Sequence, residues 1–252
     1  MLKFIGIVPA RYASTRFPGK PLAKIGGISM IERVYRQAKK ALDRVIVATD
    51  DERIFEAVKA FGGEVVMTSS EHRSGTDRCC EAYEKCGSQA DVVINIQGDE
   101  PFIDPSQIEA LKQCFDRDST QIATLVRAFD PAGDYADLEN PNSPKVVLGD
   151  DGRALCFSRS VIPYVRGAER AVWPACVQFY THVGVYAFRS HVLREVVALP
   201  QSPLELAESL EQLRWLQAGY AIQTAVTACP TIGIDTPADL AAAEEYLKHK
   251  QD

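Results

Sequence analysis

Several stretches of this chain carry side chains suited to phosphate chemistry. The first runs from Val8 to Leu22, where Arg11, Arg16 and Lys20 share a loop with Ser14, Pro18 and Gly19. It follows an apolar run, Phe4 to Val8, that reads as a buried strand, and it leads toward a helix beginning near Ser29. A strand opening into a cationic, Gly-containing loop can hold phosphate oxygens with backbone N–H groups and fixed charge. Lys3, Arg11, Arg16, Lys20 and Lys24 all precede the first acidic residue, Glu32, although the formal net charge is -6. These cations have no counter-charge in their own segment, and they predict a local anion site. The loop is not a Walker A sequence, because Pro21 follows Gly19-Lys20 where Ser or Thr would stand. Nor is it a G-x-G-x-x-G fingerprint, so a nicotinamide or flavin site has no support.

Three further stretches add to the set. His72-Arg73-Ser74-Gly75-Thr76-Asp77-Arg78 is a polar loop running into the helix of Cys79, Tyr83 and Cys86. The apolar run Asp91 to Gln97 is bounded by Gly98-Asp99-Glu100-Pro101. Gly98 lets backbone approach a ligand, and Asp99 lies just past the carboxyl end of a strand, where open α/β sheets bind ligands. In Gly233-Ile234-Asp235-Thr236-Pro237, Thr236 and Pro237 read as cap and first residue of a helix, leaving Asp235 outside it.

The elements that must position these residues are legible from periodicity. Ser29 and Glu32 form a capping-box pattern, and Ile31, Val34, Tyr35, Ala38 and Leu42 follow at helical spacing. Arg44 to Thr49 reads as a strand, Asp50 as the cap of a helix carrying Ile54, Val58 and Phe61, and Glu64 to Met67 as a third strand. This rhythm predicts a parallel sheet with covered faces. Asp104, Pro105 and Gln107 open another helix, and Gln121 to Arg127 reads as a strand. Beyond it, Asp151-Gly152 reads as a turn between Lys145–Leu148 and Ala154–Ser158, and Val177 to Phe188 alternates. These predict an antiparallel layer appended to the parallel sheet. Ser202 to Glu205 is a capping box for a helix ending at Gly219, with Leu206, Leu210 and Leu213 facing the core. On that helix Glu208, Glu211, Gln212 and Trp215 share another face.

Composition narrows the class. The chain of 252 residues is 46% hydrophobic and 25% charged, enough for a substantial core. The acidic balance argues against a nucleic-acid-binding surface, which needs broad positive potential. Seven cysteines occur with no C-x-x-C pair, so reduced thiols are expected, without a zinc cage or redox dithiol. No stretch is long and apolar enough to span a membrane, and a cytoplasmic location is expected.

The blocks Pro9-Ala10-Arg11, Ser14, Arg16 and Pro18-Gly19-Lys20-Pro21-Leu22 resemble the opening signature of the sugar-acid cytidylyltransferases, closely that of the 3-deoxy-manno-octulosonate (Kdo) enzymes, with Phe17 where Leu is more usual. The resemblance continues in His72–Arg78, Gln97–Pro101, Phe157–Arg159, His182–Tyr186 and Leu210–Arg214. It implies an α/β, three-layer, nucleotide-diphospho-sugar-transferase-like fold, Rossmann-like, with a mainly parallel sheet and an appended antiparallel subdomain for substrate and dimerisation. The division implied is one domain over 1–252, with a nucleotide-binding core at about 1–130 and 200–252 and the appended region at about 131–199.

The activity it implies is transfer of CMP from CTP to the anomeric hydroxyl of Kdo, releasing pyrophosphate and serving lipopolysaccharide synthesis. Catalysis would fall to Arg11, Lys20, Asp99 and Asp235, with Mg²⁺ held by Asp99 and Asp235. Nucleotide contacts would come from Arg11, Ser14, Arg16, Lys20, Arg73, Ser74, Gly75, Arg78 and Gly98. The sugar acid would meet Gln97, Arg159, His182, Tyr186, Glu211 and Gln212. A homodimer is implied, with no nucleic acid or membrane partner. Other readings are 8-amino-Kdo, a sialate or a sugar alcohol phosphate as acceptor, or a nucleotide sensor that needs the basic loop but not two metal-binding aspartates.

Overall fold

The computed structural model describes residues 2–13, 17–230 and 232–250, with side chains through Lys248. In chain order the strands and helices are β1 (Phe4–Ala10), β2 (Lys24–Ile25), β3 (Ile28–Ser29), α1 (Met30–Ala38), β4 (Val45–Thr49), α2 (Glu52–Ala60), β5 (Glu64–Met67), α3 (Gly75–Lys85), β6 (Val92–Asn95) and α4 (Pro105–Cys114). They continue with β7 (Ile122–Ala128), α5 (Tyr135–Glu139), β8 (Lys145–Leu148), β9 (Ala154–Ser158), α6 (Trp173–Cys176), β10 (Tyr180–Arg189) and α7 (Ser190–Val197). The last are α8 (Pro203–Glu208), α9 (Gln212–Gln217), β11 (Ile222–Val226) and α10 (Pro237–Lys250).

These elements fall into two compact units. The first holds residues 1–109, Ala187–Val197 and 230–252; the second holds Ala110–Tyr186 and Ala198–Cys229. The expected division fell at about 131–199. The second unit is larger than that because β7 and β11 pair with each other, in parallel from Ile122↔Ile222 to Val126↔Val226.

In the first unit, β6, β1, β4 and β5 lie side by side, all parallel. Every residue of β4 and β6 is buried, as near-continuous apolar runs require when both sheet faces are covered. Helices α1, α2 and α3 pack on these strands. In the second unit β8 runs antiparallel to both β9 and β10, so the predicted antiparallel layer is present. The Asp151-Gly152 turn sits where expected, with Gly152 at φ 77°, a conformation open to glycine at little cost.

Local chemistry departs from the sequence reading at four places. Asp51, not Asp50, caps α2 by accepting from the Arg53 N–H, because Asp50 is drawn to the buried Arg78 guanidinium at 2.9 Å. Ser29 makes no side-chain cap: it pairs with Lys24 in a two-stranded ribbon, and the Ala23 carbonyl receives the Met30 N–H instead. The helix read from Ser202 to Gly219 is two helices, broken at Ser209, which has φ 50°. The carbonyls of Glu208 and Ser209 turn to the Arg159 guanidinium at that break. The break removes the common face of Glu208, Glu211, Gln212 and Trp215, and Leu206 is 61% exposed rather than core-facing. Strand β11 escaped prediction because Ile222–Val226 is short and mixed in polarity.

The Ser202 capping box forms as read: its hydroxyl accepts from the Glu205 N–H, and the Glu205 carboxylate accepts from the Ser202 N–H. Ser202→Ala should therefore lower unfolding free energy by about 1 kcal/mol. Urea denaturation should show a lower midpoint at unchanged slope; an unchanged midpoint would mean that the box does not stabilise α8.

Candidate active site

Strand β1 ends at Ala10, and the chain then turns through a loop closed by the Gly19 N–H donating to the Tyr12 carbonyl at 2.9 Å. Gly19 has φ 72°, in the left-handed region, and a Cβ there would press the Tyr12 ring at 3.0 Å. The Arg53 guanidinium covers that ring, 3.3 Å from its centroid. Lys20 opens a short 3₁₀ turn with Pro21 buried behind it. Its ammonium donates to Asp99 at 2.8 Å and to Asp235 at 3.0 Å. Asp99 and Asp235 are far apart in sequence, yet one lysine brings both carboxylates to a point.

Two contacts fix this convergence. A Cβ on Gly98 would lie 2.7 Å from the Pro9 carbonyl, so only glycine lets the Asp99 loop pass so close to β1. The Ile234 N–H donates to the Asp99 carbonyl at 3.0 Å, and the Ile234 side chain is wholly buried with Ile25, Met30 and Ala243. The Asp239 carboxylate takes the N–H groups of Asp235 and Thr236, leaving the Asp235 side chain directed at Lys20.

Helix α3 completes the site. The segment 72–78 is largely a helix start: Ser74 is the N-cap, its hydroxyl accepting from the Asp77 N–H and the Asp77 carboxylate accepting from the Ser74 N–H. Arg78, 4% exposed, donates to Thr68 and Asp50, while Arg73 is exposed. Together Pro9, Ala10, Arg11, Lys20, Arg73, Ser74, Gly75, Arg78, Gln97, Gly98, Asp99 and Asp235 line one cavity of about 270 Å³, with Pro21 and His72. Ser14 and Arg16 lie outside the described residues. His72 thus joins the cavity with Arg73, Ser74, Gly75 and Arg78 of its own block, though it was not among the expected nucleotide contacts.

Burial works against charge on Lys20, but Asp99 and Asp235 outweigh it and hold the ammonium above the usual lysine value. Burial, with the neighbouring Asp99 charge, pushes the Glu100 carboxyl up to about 7. The donor set suits a magnesium ion: two convergent carboxylates leave most positions to water and substrate oxygens, as Mg²⁺ prefers. Among the described residues no group of three or more His, Cys, Asp or Glu could cage a metal. The fit is to a site finished by substrate, not by protein alone.

The remaining expected residues, apart from Gln97, belong to the second unit. His182 lies edge-on to Phe157 and tilted against Tyr186, ring centroids 5.2 Å away in each case. Its Nε2 is 2.9 Å from the Thr124 hydroxyl, and burial pushes its imidazole down to about 3, so it is neutral at physiological pH. Tyr186 is buried edge-on to Trp215. Burial, then the Glu211 charge, raises its phenol well above the usual range. Glu211 accepts from Arg214 at 2.8 Å, and Gln212 is buried with its Nε2 unpartnered among the described residues. Arg159 donates to the carbonyls of Pro141, Glu208 and Ser209. Three of its five N–H groups are thus used within the described residues, and the others remain for an acceptor. Glu208, which the sequence placed only on a helix face, holds this corner by accepting from the Ser158 hydroxyl and the Arg159 N–H.

A cationic loop after β1, a Gly-Asp step past β6 and a second aspartate before the last helix meet at one cavity, an arrangement suited to nucleotidyl transfer. The chain belongs to the cytidylyltransferase family, whose model matches residues 5–223. Similarity then singles out one branch, the 3-deoxy-manno-octulosonate cytidylyltransferases. Relatives of that name from Parabacteroides distasonis and Bacteroides thetaiotaomicron are each 61% identical, covering 99% of this chain and all of theirs. A solved structure of CMP:2-keto-3-deoxy-manno-octonic acid synthetase complexed with CTP aligns at TM-score 0.90 and 43% identity, over 98% of this chain and 99% of that one.

Lys20 and His182 each raise an expectation about charge. A group whose folded pKa is raised stabilises the fold fully below its unfolded value, here 10.5, and loses that contribution as pH passes the folded value. Lys20→Met should therefore destabilise at pH 7, by about 1 kcal/mol given the partial exposure of the pair. Thermal melts of variant and wild type at pH 7, in low and high salt, test this; a loss that salt leaves unchanged would mean that Lys20 acts by packing rather than charge. For His182, imidazole proton shifts should stay flat from pH 8 to pH 4, and a titration near 6.5 would show the ring to be solvated.

Proposed function

We propose that this protein transfers CMP from CTP to the anomeric hydroxyl of Kdo and releases pyrophosphate. The observation that carries the reading is Lys20 held between Asp99 and Asp235 in a cavity that Arg11, Arg73 and Arg78 also line. Nucleotidyl transfer depends mainly on positioning and charge stabilisation, and this arrangement supplies both. Arg11 and Lys20 hold the triphosphate, and Lys20 offsets negative charge as pyrophosphate departs. Arg73, Ser74, Gly75 and Gly98 give the nucleotide close backbone and side-chain contacts. No protein nucleophile is needed.

Asp99 and Asp235 would hold Mg²⁺, which when bound supplies Lewis acidity at the α-phosphate and lowers the pKa of the attacking hydroxyl. For the acceptor, the free N–H groups of Arg159 suit a carboxylate. His182, Tyr186, Glu211 and Gln212 offer mixed donors and acceptors to a sugar's hydroxyls. A neutral His182 fits that role, since it can accept as well as donate.

The product's use in lipopolysaccharide synthesis, a homodimeric state and a cytoplasmic location complete the reading. Exposed Leu155, Tyr164, Val172 and Val177 on the second unit favour a protein partner such as a second copy. All seven cysteines are free thiols, as a reducing compartment favours. No helix among the described residues is long and apolar enough to cross a membrane.

The test is pyrophosphate release from CTP with a panel of sugar acids, with and without Mg²⁺. Kdo should be the preferred acceptor and Mg²⁺ essential; equal rates with a sialate, or rates indifferent to Mg²⁺, would overturn the respective parts. Asp99→Asn and Asp235→Asn should each lower turnover at least a hundredfold, with melting temperature falling no further than in Lys20→Met, because both side chains lie in loops whose caps come from other residues. Near-normal rates in either variant would remove that aspartate from the metal site.

A further inference from the structure

One side chain in the nucleotide cavity has a fixed tautomer and no assigned task. His72 lines the cavity beside Arg73, Ser74 and Gly75, and its Nε2 is bonded to the Glu81 carboxylate, one helical turn and more along α3. Glu81 also accepts from the Ser69 N–H at 2.8 Å and pairs with Lys85 at 2.6 Å. Burial opposes its charge, but Lys85, the Ser69 N–H and His72 outweigh that and hold its carboxyl at about 2. An ionised carboxylate only accepts hydrogen bonds, so Nε2 must carry the proton. Nδ1 is then the ring nitrogen that can offer a lone pair. Nδ1 has no hydrogen-bond partner among the described residues.

That lone pair is unlike its neighbours. The cavity's charged side chains are cationic donors, Arg11, Lys20, Arg73 and Arg78, or the two aspartates already engaged by Lys20. A triphosphate carries acceptors and would meet the donors. An acceptor at Nδ1 calls for a donor, and the donors on CTP are the cytosine 4-amino group and the ribose hydroxyls. The amino group separates cytosine from uracil, so an acceptor fixed in place by a second residue has an evident use there.

We propose that His72, with its tautomer set by Glu81, accepts a hydrogen bond from the 4-amino group of CTP and so determines nucleotide specificity. Glu81 acts as a positioning residue through His72. This rests on the reading of the cavity as the CTP site, and it gives a task to one residue of the His72–Arg78 block.

The experiment measures dissociation constants for CTP, UTP and 2′-deoxy-CTP by calorimetry, with Mg²⁺, on the full chain. Wild-type protein should bind CTP well and UTP poorly; failure to bind CTP at all would sink the functional reading, independently of His72. His72→Phe should weaken CTP about tenfold and UTP little, narrowing the preference by the same factor. Glu81→Gln tests the tautomer. An amide can donate to Nε2 and leave the ring proton on Nδ1, so the preference should narrow with His72 still present. Thermal melts of both variants exclude misfolding, and His72→Gln, whose amide oxygen can accept, should restore part of the preference if the first variant folds poorly. Equal losses for CTP and UTP would overturn the proposal. A wild-type defect for 2′-deoxy-CTP that disappears in His72→Phe would overturn it in favour of a ribose contact.

Discussion

The contact on which this structure depends is one ammonium between two carboxylates. Lys20 comes from the first loop, Asp99 from the middle of the chain and Asp235 from near its end. Nothing in local propensity brings these residues together. Two like charges held at one point repel, and the cation between them makes the arrangement tolerable. The same electrostatics then serve chemistry: carboxylates already converged can take a hard cation, and a lysine released from them can turn to phosphate. The pair is only partly buried, at 15% exposure for the lysine and 31% and 47% for the aspartates. Water and substrate oxygens can reach it, which a closed structural ion pair would forbid.

The scaffold's task is to hold three backbones within reach of that point. Parallel pairing of β1 with β6 puts their carboxyl ends side by side, from Phe4↔Val92 to Ile7↔Asn95. Past those ends, the missing side chain of Gly98 allows contact with Pro9, and the Ile234–Asp99 backbone bond ties in the last segment. Ile234 is anchored by apolar packing against Ile25, Met30 and Ala243, so hydrophobic burial positions a polar group. Within the second unit, polar bonds do the positioning. Glu208 grips Ser158 and Arg159, and Arg159 in turn binds carbonyls at the break between α8 and α9.

Much of this was legible in the sequence, for physical reasons. Buried parallel strands must be apolar throughout, so β4 and β6 announced themselves. The Gly98-Asp99 step after an apolar run, and Arg11 and Lys20 among the cations before Glu32, picked out residues that line one cavity. What escaped detection depends on contacts between distant residues. The lysine that joins Asp99 to Asp235 is invisible to spacing. The break at Ser209 follows from carbonyls drawn to Arg159, and no local breaker residue signals it. His72 looked like a loop residue because its partner, Glu81, lies on the following helix. Asp50 read as the cap of α2, but the buried Arg78 engages it and the cap falls to Asp51.

The central claim is that Lys20, Asp99 and Asp235 act as one unit in turnover. A double-mutant cycle on Lys20→Met and Asp235→Asn, read as kcat/KM for CTP, tests it most directly. The account predicts strong coupling, with the double variant little worse than the poorer single one, since each change already disables the shared arrangement. Losses that simply multiply would contradict it, and would show the lysine and the aspartate to be independent contributors.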